Sequence, residues 1–309
     1  MSQEQSPPSG PDLSQGVALE KFVNGKLAGH VGGEEVLLVH NGSGTFAIAA
    51  HCSHYHGPLI DGLVVGDVIR CPWHHACFDL RSGEAVRAPA ISPLACWRVE
   101  LRNGRVFVHE KHDQPKTRGN LSAGCADKIV IVGGGAAGFA AAEMLRRREF
   151  QGSIVMLSSD AAAPVDRPNL SKDYLAGGAP DDWLPLRPYC FYGEAGIELR
   201  LTTEVTGIDA KERHVITADG GKVPYDRLLL ATGAEPVRLA VPGAGQRHVH
   251  TLRSLADCRA IIEAAKGARS ALVVGASFIG LEVAAALRAR GIEAHVVAGE
   301  TANGAHPWA

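Results

Sequence analysis

The sequence predicts a multidomain chain, a small all-β domain followed by two α/β units built on parallel strands, the second of them incomplete. Three observations carry that reading. Up to about Glu110 the apolar residues come in short runs broken by Gly and Asn, the pattern of half-buried strands joined by tight turns. From Lys128 they come in continuous runs such as Ile129-Val130-Ile131-Val132, as in parallel strands buried on both faces. A second run of this kind, Ala271-Leu272-Val273-Val274, lies close to the end of the 309-residue chain. That length has room for about two domains with sizeable cores.

Composition narrows the function classes. A formal net charge of -2 offers no electrostatic case for nucleic acid or an anionic membrane. Residues 1–10 are polar and lack the basic and apolar segments of a secretory signal. The most apolar stretch, 129–142, is too short and too Gly-rich to span a membrane. The seven cysteines are scattered, with no Cys-x-x-Cys or Cys-x4-Cys pair. Neither a disulfide framework nor a thiol-exchange centre is expected, and a reducing cytoplasm fits best.

Taken in order, residues 1–13 are rich in Ser, Pro and Gln and are expected to be disordered. Residues 14–112 form the all-β domain, with strands at 36–39, 45–48, 97–101 and 106–108 and hairpin turns at Asn41-Gly42 and Asn103-Gly104. Two loops between strands carry a different chemistry. His51-Cys52-Ser53-His54-Tyr55-His56-Gly57-Pro58 and Cys71-Pro72-Trp73-His74-His75-Ala76-Cys77 contain the pairs Cys-x-His and Cys-x-x-His. Cys52, His54, Cys71 and His74 make a full set of four metal ligands. Two thiolates and two imidazoles suit either a tetrahedral zinc or an iron–sulfur cluster in which His replaces Cys on one iron. The single residue between Cys52 and His54 is a shorter spacing than zinc knuckles use, which favours the cluster. His51, His56 and His75 read as solvent-exposed or hydrogen-bonded neighbours. Cys77, Cys96, Cys125, Cys190 and Cys258 read as small buried or linker residues. Residues 113–126, polar and without periodicity, read as an interdomain linker.

The α/β part opens with the strand 129–132 and runs into Gly133-Gly134-Gly135-Ala136-Ala137-Gly138. An Ala/Leu-rich helix over 139–148 follows, ending in three arginines that suit a helix C-terminus. A second strand, 154–157, precedes Asp160. Strand, Gly-rich turn, helix, strand and acid in this order form a Rossmann-like dinucleotide site: the glycines let a pyrophosphate approach the helix N-terminus, and the acid meets a ribose. Residues 225–233 give another buried strand ending in a small turn at Thr232-Gly233. The arrangement then repeats, through Gly275-Ala276-Ser277-Phe278-Ile279-Gly280, a helix over 281–290 and a strand through 295–297 that ends near Glu300. Residues 127–246 and 247–309 are assigned to the two units. Two such units imply two nucleotides, one of which could be a flavin.

Residues 128–300 resemble the flavin-dependent pyridine-nucleotide reductases of the apoptosis-inducing-factor-like group. The resemblance rests on the first Gly-rich turn, on Pro164-Val165-Asp166-Arg167-Pro168-Asn169-Leu170-Ser171-Lys172, on Ala231-Thr232-Gly233 and on Gly275-Ala276-Ser277-Phe278-Ile279-Gly280-Leu281-Glu282. Residues 52–78 resemble a Rieske [2Fe-2S] domain through the ligand spacing, Gly57, Pro58, Trp73 and Ala76-Cys77-Phe78. Together the resemblances imply three cofactors: a [2Fe-2S] cluster on Cys52, His54, Cys71 and His74, FAD, and NAD(P)H with NADH favoured. They imply that Gly133, Gly135 and Gly138 cradle the FAD pyrophosphate, that Asp160 meets the adenosine ribose and that Thr232 and Gly233 belong to the FAD site. Arg167 and Lys172 are implied to lie along the flavin, with Lys172 and Glu282 as the catalytic pair. Gly275 and Gly280 are implied to hold the nicotinamide dinucleotide, and Glu300 to favour NADH by repelling a 2′-phosphate.

The activity implied is an FAD-dependent NAD(P)H oxidoreductase passing electrons between flavin and cluster to an external acceptor, such as a ferredoxin or an oxygenase component. The alternative is a cluster-binding electron carrier whose flavoprotein part is inactive. Reductases of this group complete the FAD domain with a Gly-Asp turn and add a C-terminal domain over the flavin. Here the chain ends nine residues beyond Glu300. The expectation is a C-terminally truncated product that binds FAD weakly or not at all. High-potential Rieske proteins carry an extra Cys in each ligand loop, joined as a disulfide, and the corresponding positions here are Gly57 and Trp73. Without that cross-link the midpoint is expected toward the low end of the range of roughly −150 to +300 mV. A redox titration giving a strongly positive midpoint would contradict this.

Overall fold

Residues 36–39 are at most 1% exposed in the computed structural model, which describes residues 9–112 and 127–298. A strand hides both faces only when a layer packs on each side. The first compact unit, Met1–Thr117, supplies both layers. It runs through β1 (Val17–Ala18), β2 (Lys26–Val31), β3 (Glu34–Asn41), β4 (Gly44–Ala49), β5 (Leu63–Val65), β6 (Val68–Arg70), β7 (Cys77–Asp79), β8 (Ala85–Arg87), β9 (Cys96–Arg102) and β10 (Arg105–His112). One antiparallel sheet has the order β1-β10-β9-β4-β3-β2, and a smaller one the order β5-β6-β7-β8. Val36 and Leu38 of β3 pack with Leu13, Trp97, Val106 and Val108. Leu37 and Val39 face the other way and pack with Ile69 and Phe78 of the smaller sheet. Alternation along one strand thus feeds two cores.

The strands read from the sequence lie inside these elements. Asn103-Gly104 is a two-residue hairpin loop, bracketed by Arg102 opposite Arg105. The β3–β4 loop is shifted by one residue, to Gly42-Ser43 between the paired Asn41 and Gly44. The expectation of disorder over 1–13 fails at its end. Residues 1–8 lie outside the described residues, but Leu13 is 0% exposed and Asp12 bridges to His30. The Leu13 side chain lies over Gly29, where an added Cβ would come within 2.7 Å of its Cδ2. One leucine among Ser, Pro and Gln carries no periodic signal, so composition hides this anchor. The expected linker, 113–126, lies outside the described residues.

The second compact unit is Arg118–Ala309. Its first part comprises β11 (Lys128–Val132), α1 (Ala136–Arg147), β12 (Ser153–Leu157), α2 (Asp173–Ala176), α3 (Cys190–Glu194) and β13 (Ile197–Arg200). An antiparallel excursion follows, β14 (Val205–Asp209), β15 (His214–Thr217) and β16 (Lys222–Pro224), and then β17 (Arg227–Leu230). The parallel sheet has the order β13-β12-β11-β17. The chain continues with α4 (Leu255–Ala265), β18 (Ser270–Val274), α5 (Phe278–Ala289) and β19 (Glu293–Val297), the two strands pairing in parallel. Val165, Leu170, Tyr174 and Leu175 share a core with Leu255, Cys258 and Ala286, so the stretches on either side of residue 246 pack together.

Both Gly-rich turns repeat one geometry. The Gly133 N–H donates to the Leu157 carbonyl at 2.8 Å, and the Gly275 N–H to the Val297 carbonyl at 2.8 Å. Both helices start three residues earlier than expected, at Ala136 and Phe278, because Gly138 and Gly280 sit in the first turn despite their low helix propensity. Apolar residues on β17, β18 and α5 are left uncovered: Leu230 is 56% exposed, Leu272 64%, Val274 56% and Phe278 84%. No helix among the described residues is long and apolar enough to cross a membrane.

Leu13→Ala is expected to destabilise the β unit by about 2–5 kcal/mol, the usual range for a fully buried leucine. Denaturant unfolding followed by near-ultraviolet circular dichroism measures this. A loss below about 1 kcal/mol would restore the disordered reading.

Candidate functional site

The two ligand loops are the same hydrogen-bonded turn built twice. In the first, the Cys52 N–H donates to the Gly57 carbonyl at 2.9 Å and the His56 N–H to the Cys52 carbonyl at 3.0 Å. In the second, the Cys71 N–H donates to the Ala76 carbonyl at 2.8 Å and the His75 N–H to the Cys71 carbonyl at 3.2 Å. His56 and His75 occupy equivalent left-handed positions, at φ 56° and 63°. They close the turns, which accounts for these two flanking histidines. The third, His51, pairs through Nδ1 with Glu35 at 3.3 Å. The first loop leaves β4, and the second bridges β6 and β7 at the end of the smaller sheet.

Within the turns the four expected ligands sort into two pairs. The thiols are deep, Cys52 at 2% and Cys71 at 1% exposure. The imidazoles lie outward, His74 exposed and His54 half-buried, with ring centroids 5.1 Å apart. Burial pushes the Cys52 thiol up to about 11, so a thiolate there needs the charge of a bound metal. Burial, and then the neighbouring His74, hold the His54 imidazole below its ordinary range. It is therefore neutral, the form that ligates metal. Its Nδ1 is buried with no hydrogen-bond partner, a costly state for a ring nitrogen that a metal would relieve.

The donor set therefore fits a metal group, and its pairing bears on which one. A structural zinc needs four donors at one point. A two-iron cluster needs thiolates on one iron and imidazoles on the other, as the deep and outer pairs are disposed. Trp73 packs over Gly57, where a Cβ would stand 3.1 Å from the indole Cδ2 and 2.9 Å from the Cys71 Sγ. The described cysteines are free thiols. A Trp–Gly contact thus stands where a disulfide would tie the loops together.

In the α/β unit a cleft of about 390 Å³ opens at the first Gly-rich turn. It is lined by Gly133, Gly135, Ser158, Asp160, Arg167, Thr232, Arg238 and Arg253, among others. The turn is tight because side chains are excluded: a Cβ on Gly133 would meet the Ala231 carbonyl oxygen at 2.1 Å, and one on Gly138 the Gly133 oxygen at 2.0 Å. Gly135 faces open space, leaving its backbone reachable by a phosphate. This cradle, with cations beside it, fits a nucleotide pyrophosphate.

Asp160 accepts from the Arg167 guanidinium at 3.0 Å, so two residues expected at different ends of the cofactor are paired here. Lys172 donates to Glu282 at 2.9 Å and the Ser171 hydroxyl to the same carboxylate oxygen at 2.7 Å. Burial pushes Glu282 up, but the Ser171 hydroxyl and the Lys172 ammonium outweigh it and hold the carboxyl below its ordinary range. The pair is joined as expected, though neither residue lines the cleft. Gly233 does not line it either; an added Cβ there would meet the Arg253 Nη2 at 2.6 Å. Gly280 repeats the Gly138 packing, with a Cβ there 2.0 Å from the Gly275 oxygen, whereas Gly275, unlike Gly133, faces open space. Glu300 lies outside the described residues. Arg253 and Arg238 escape sequence reasoning, since lone arginines in a loop carry no motif.

Residues 127–302 match the pyridine nucleotide-disulphide oxidoreductase family. The chain belongs to that family. Ahead of the reductase part it carries a Rieske [2Fe-2S] domain, matched over residues 17–98. Apoptosis-inducing factor 3 of Homo sapiens is 34% identical over 278 residues, covering 86% of this chain and 45% of that protein. Rhodocoxin reductase of Rhodococcus erythropolis is 40% identical over 169 residues, covering 55% of this chain and 40% of that one. Among solved structures, a ferredoxin reductase from Rhodopseudomonas palustris superposes with a TM-score of 0.53 at 37% identity, over 55% of this chain and 42% of that one. The reductase in a covalent putidaredoxin reductase–putidaredoxin complex superposes at 0.52, with 38% identity over 56% of this chain and 42% of that one. The chain thus spans less than half the length of these relatives.

Gly57→Val is expected to leave the chain unable to retain iron, because the added branch would occupy the space of the Cys71 sulfur and the Trp73 ring. Iron and acid-labile sulfide per chain after reconstitution measure this. Full retention with unchanged visible bands would show that the Gly57–Trp73 contact is dispensable.

Proposed function

We propose that this chain serves an NAD(P)H-dependent flavin oxidoreductase that delivers electrons one at a time to an external acceptor. The observation that carries the proposal is the sorting of Cys52 and Cys71 from His54 and His74 in a chain that also holds a dinucleotide cradle at Gly133. In this reading Cys52, His54, Cys71 and His74 hold a [2Fe-2S] cluster, and Gly133, Gly135, Gly138, Asp160, Arg167, Thr232 and Gly233 belong to the FAD site. A bound flavin would take a hydride pair from a nicotinamide and release single electrons, the unit that a [2Fe-2S] centre carries. The chain's own residues do the positioning. Buried Cys52 and Cys71 anchor the cluster while His54 and His74 hold its solvent side. Asp160 orients Arg167 at the rim of the cleft, and Glu282 orients Lys172, whose cation would stabilise negative charge on a reduced flavin. Gly275 and Gly280 hold the nicotinamide dinucleotide, with NADH favoured by Glu300 in this reading. The acceptor is a ferredoxin or an oxygenase component, by analogy with the relatives' names, and the free thiols suit a cytoplasmic setting.

A second reading keeps the cluster and discards the flavin. It is favoured by the exposed Leu230, Leu272 and Val274, which leave the nucleotide-binding unit open to solvent. This chain by itself would then act as an electron carrier.

Visible spectra after anaerobic reconstitution, with iron and sulfide analysis, test both readings. Two irons and two acid-labile sulfides per chain with Rieske-type absorption are expected, together with weak, dissociable FAD. Stoichiometric flavin through purification would overturn the expectation of weak binding. A colourless, zinc-loaded chain would overturn both readings.

A further inference from the structure

Superposing the two ligand turns by their hydrogen bonds uncovers an exchange of roles. Counting from each cysteine, the closing left-handed residue is His56 in one loop and His75 in the other, and the residue accepting the cysteine N–H is Gly57 or Ala76. In the first loop the expected ligand His54 sits two residues beyond Cys52, and Tyr55 follows it. In the second loop that earlier position belongs to Trp73, and the later one to the expected ligand His74. Each loop therefore carries an aromatic residue at the position its partner loop uses for a ligand.

Tyr55 is the one that meets both imidazoles. Its ring lies parallel to His54, with centroids 4.1 Å apart and planes 17° from coplanar. It meets His74 edge-on, at 5.5 Å and 82°. The two imidazoles are themselves crossed at 86°. A ring held parallel to one imidazole and perpendicular to the other constrains the plane of each, and stacked or edge-on geometry is what aromatic quadrupoles favour. Tyr55 is 38% exposed and covers the face of the half-buried His54 on which it stacks.

We propose that Tyr55 is a positioning residue for the two histidine ligands: its ring fixes both imidazole planes and shields the face of His54 on which it stacks. The inference rests on the reading that His54 and His74 hold an iron. Groups around the ligands and solvent access set the potential and retention of a metal centre. Reduction adds one negative charge to the cluster, and water admitted beside it stabilises the reduced form. Loss of the ring therefore shifts the midpoint upward.

The test compares Tyr55→Phe and Tyr55→Leu with the wild type, each as the full chain with reconstituted cluster. Midpoint potential, electron paramagnetic resonance g-values and the rate of iron loss to a chelator are measured. The phenylalanine variant should match wild type in all three. The leucine variant should show an upward midpoint, altered g-anisotropy and iron loss faster by on the order of 10-fold. Unchanged midpoint and g-values in the leucine variant would overturn the proposal, as would an equal shift in the phenylalanine variant. Should the leucine variant assemble no cluster, thermal unfolding of the metal-free chains decides. Unaltered unfolding supports a positioning role, and a lowered transition shows a merely structural one. Absence of a Rieske signal in the wild type would instead defeat the underlying reading of the site.

Discussion

The hydrogen bonds from the Cys52 N–H to the Gly57 carbonyl and from the Cys71 N–H to the Ala76 carbonyl, at 2.9 and 2.8 Å, set where each thiol stands. Each closes a turn around its own cysteine, so both sulfurs are placed by backbone rather than by flexible side chains. The turns join strands of the β unit. Their ends are held because β4, β6 and β7 contribute Ile48, Ile69 and Phe78 to a core in which the cysteines themselves are counted. A site on rigid strand ends loses little freedom when it takes up its metal, the condition for a well-defined centre. The cluster site is in this sense an outgrowth of the β core.

The α/β unit meets a related demand by the opposite device. There the backbone must come close to a ligand, and side chains are removed to allow it, as the 2.0 Å clearance at Gly138 shows. The two solutions differ in what they still require from their surroundings. In the β unit the four expected metal donors stand on two equivalent turns, the thiols deep and the imidazoles outward. Beside the nucleotide-binding sheet an apolar hollow of about 360 Å³ lined by Ile129, Met144, Leu145 and Leu228 stays open. Open apolar surface of this kind is normally covered in a stable α/β protein. The β unit is thus the part of the chain whose chemistry depends least on anything beyond the residues described.

What the sequence makes legible follows from the range of each interaction. The cysteine and histidine ligands, the Gly-rich turns and the continuous strands announce themselves within a few neighbouring residues, because turn geometry and strand burial are local. Leu13 is illegible because its reason for order, the space above Gly29, comes from a strand formed later in the chain. The sheet β14-β15-β16 escapes notice because strands of three to five residues give too few alternations to count. Helix α4 carries a Ser254–Asp257 capping box that a search for caps would find. Asp160 and Arg167 are each visible as cofactor residues, but their pairing needs the fold. Lys172 and Glu282 stand 110 positions apart in sequence, and only resemblance to a family brings them together in advance.

The disposition of the donors also gives the cluster site a direction. A symmetric four-ligand ion would offer equivalent paths to all its ligands. Here the thiols are sealed among Ile69, Phe78 and Leu59, while His74 is exposed and His54 half-buried beside Tyr55. Any acceptor arriving from solvent reaches the imidazole side first, and electron transfer weakens steeply with added distance. Burial of the thiol side disfavours uncompensated charge there, so the thiolates depend on the metal. In the proposed reading a Cys/His ligand set separates two tasks that an all-Cys set would merge: the sulfurs would hold the cluster to the core, and the imidazoles would form its contact with the outside. The exchange of Tyr55 and Trp73 between the two turns follows from the same division. Trp73 packs over Gly57, the glycine whose carbonyl closes the Cys52 turn, and belongs to the holding side. Tyr55 sits against both imidazoles and belongs to the side at which, in the proposed reading, electrons would enter or leave.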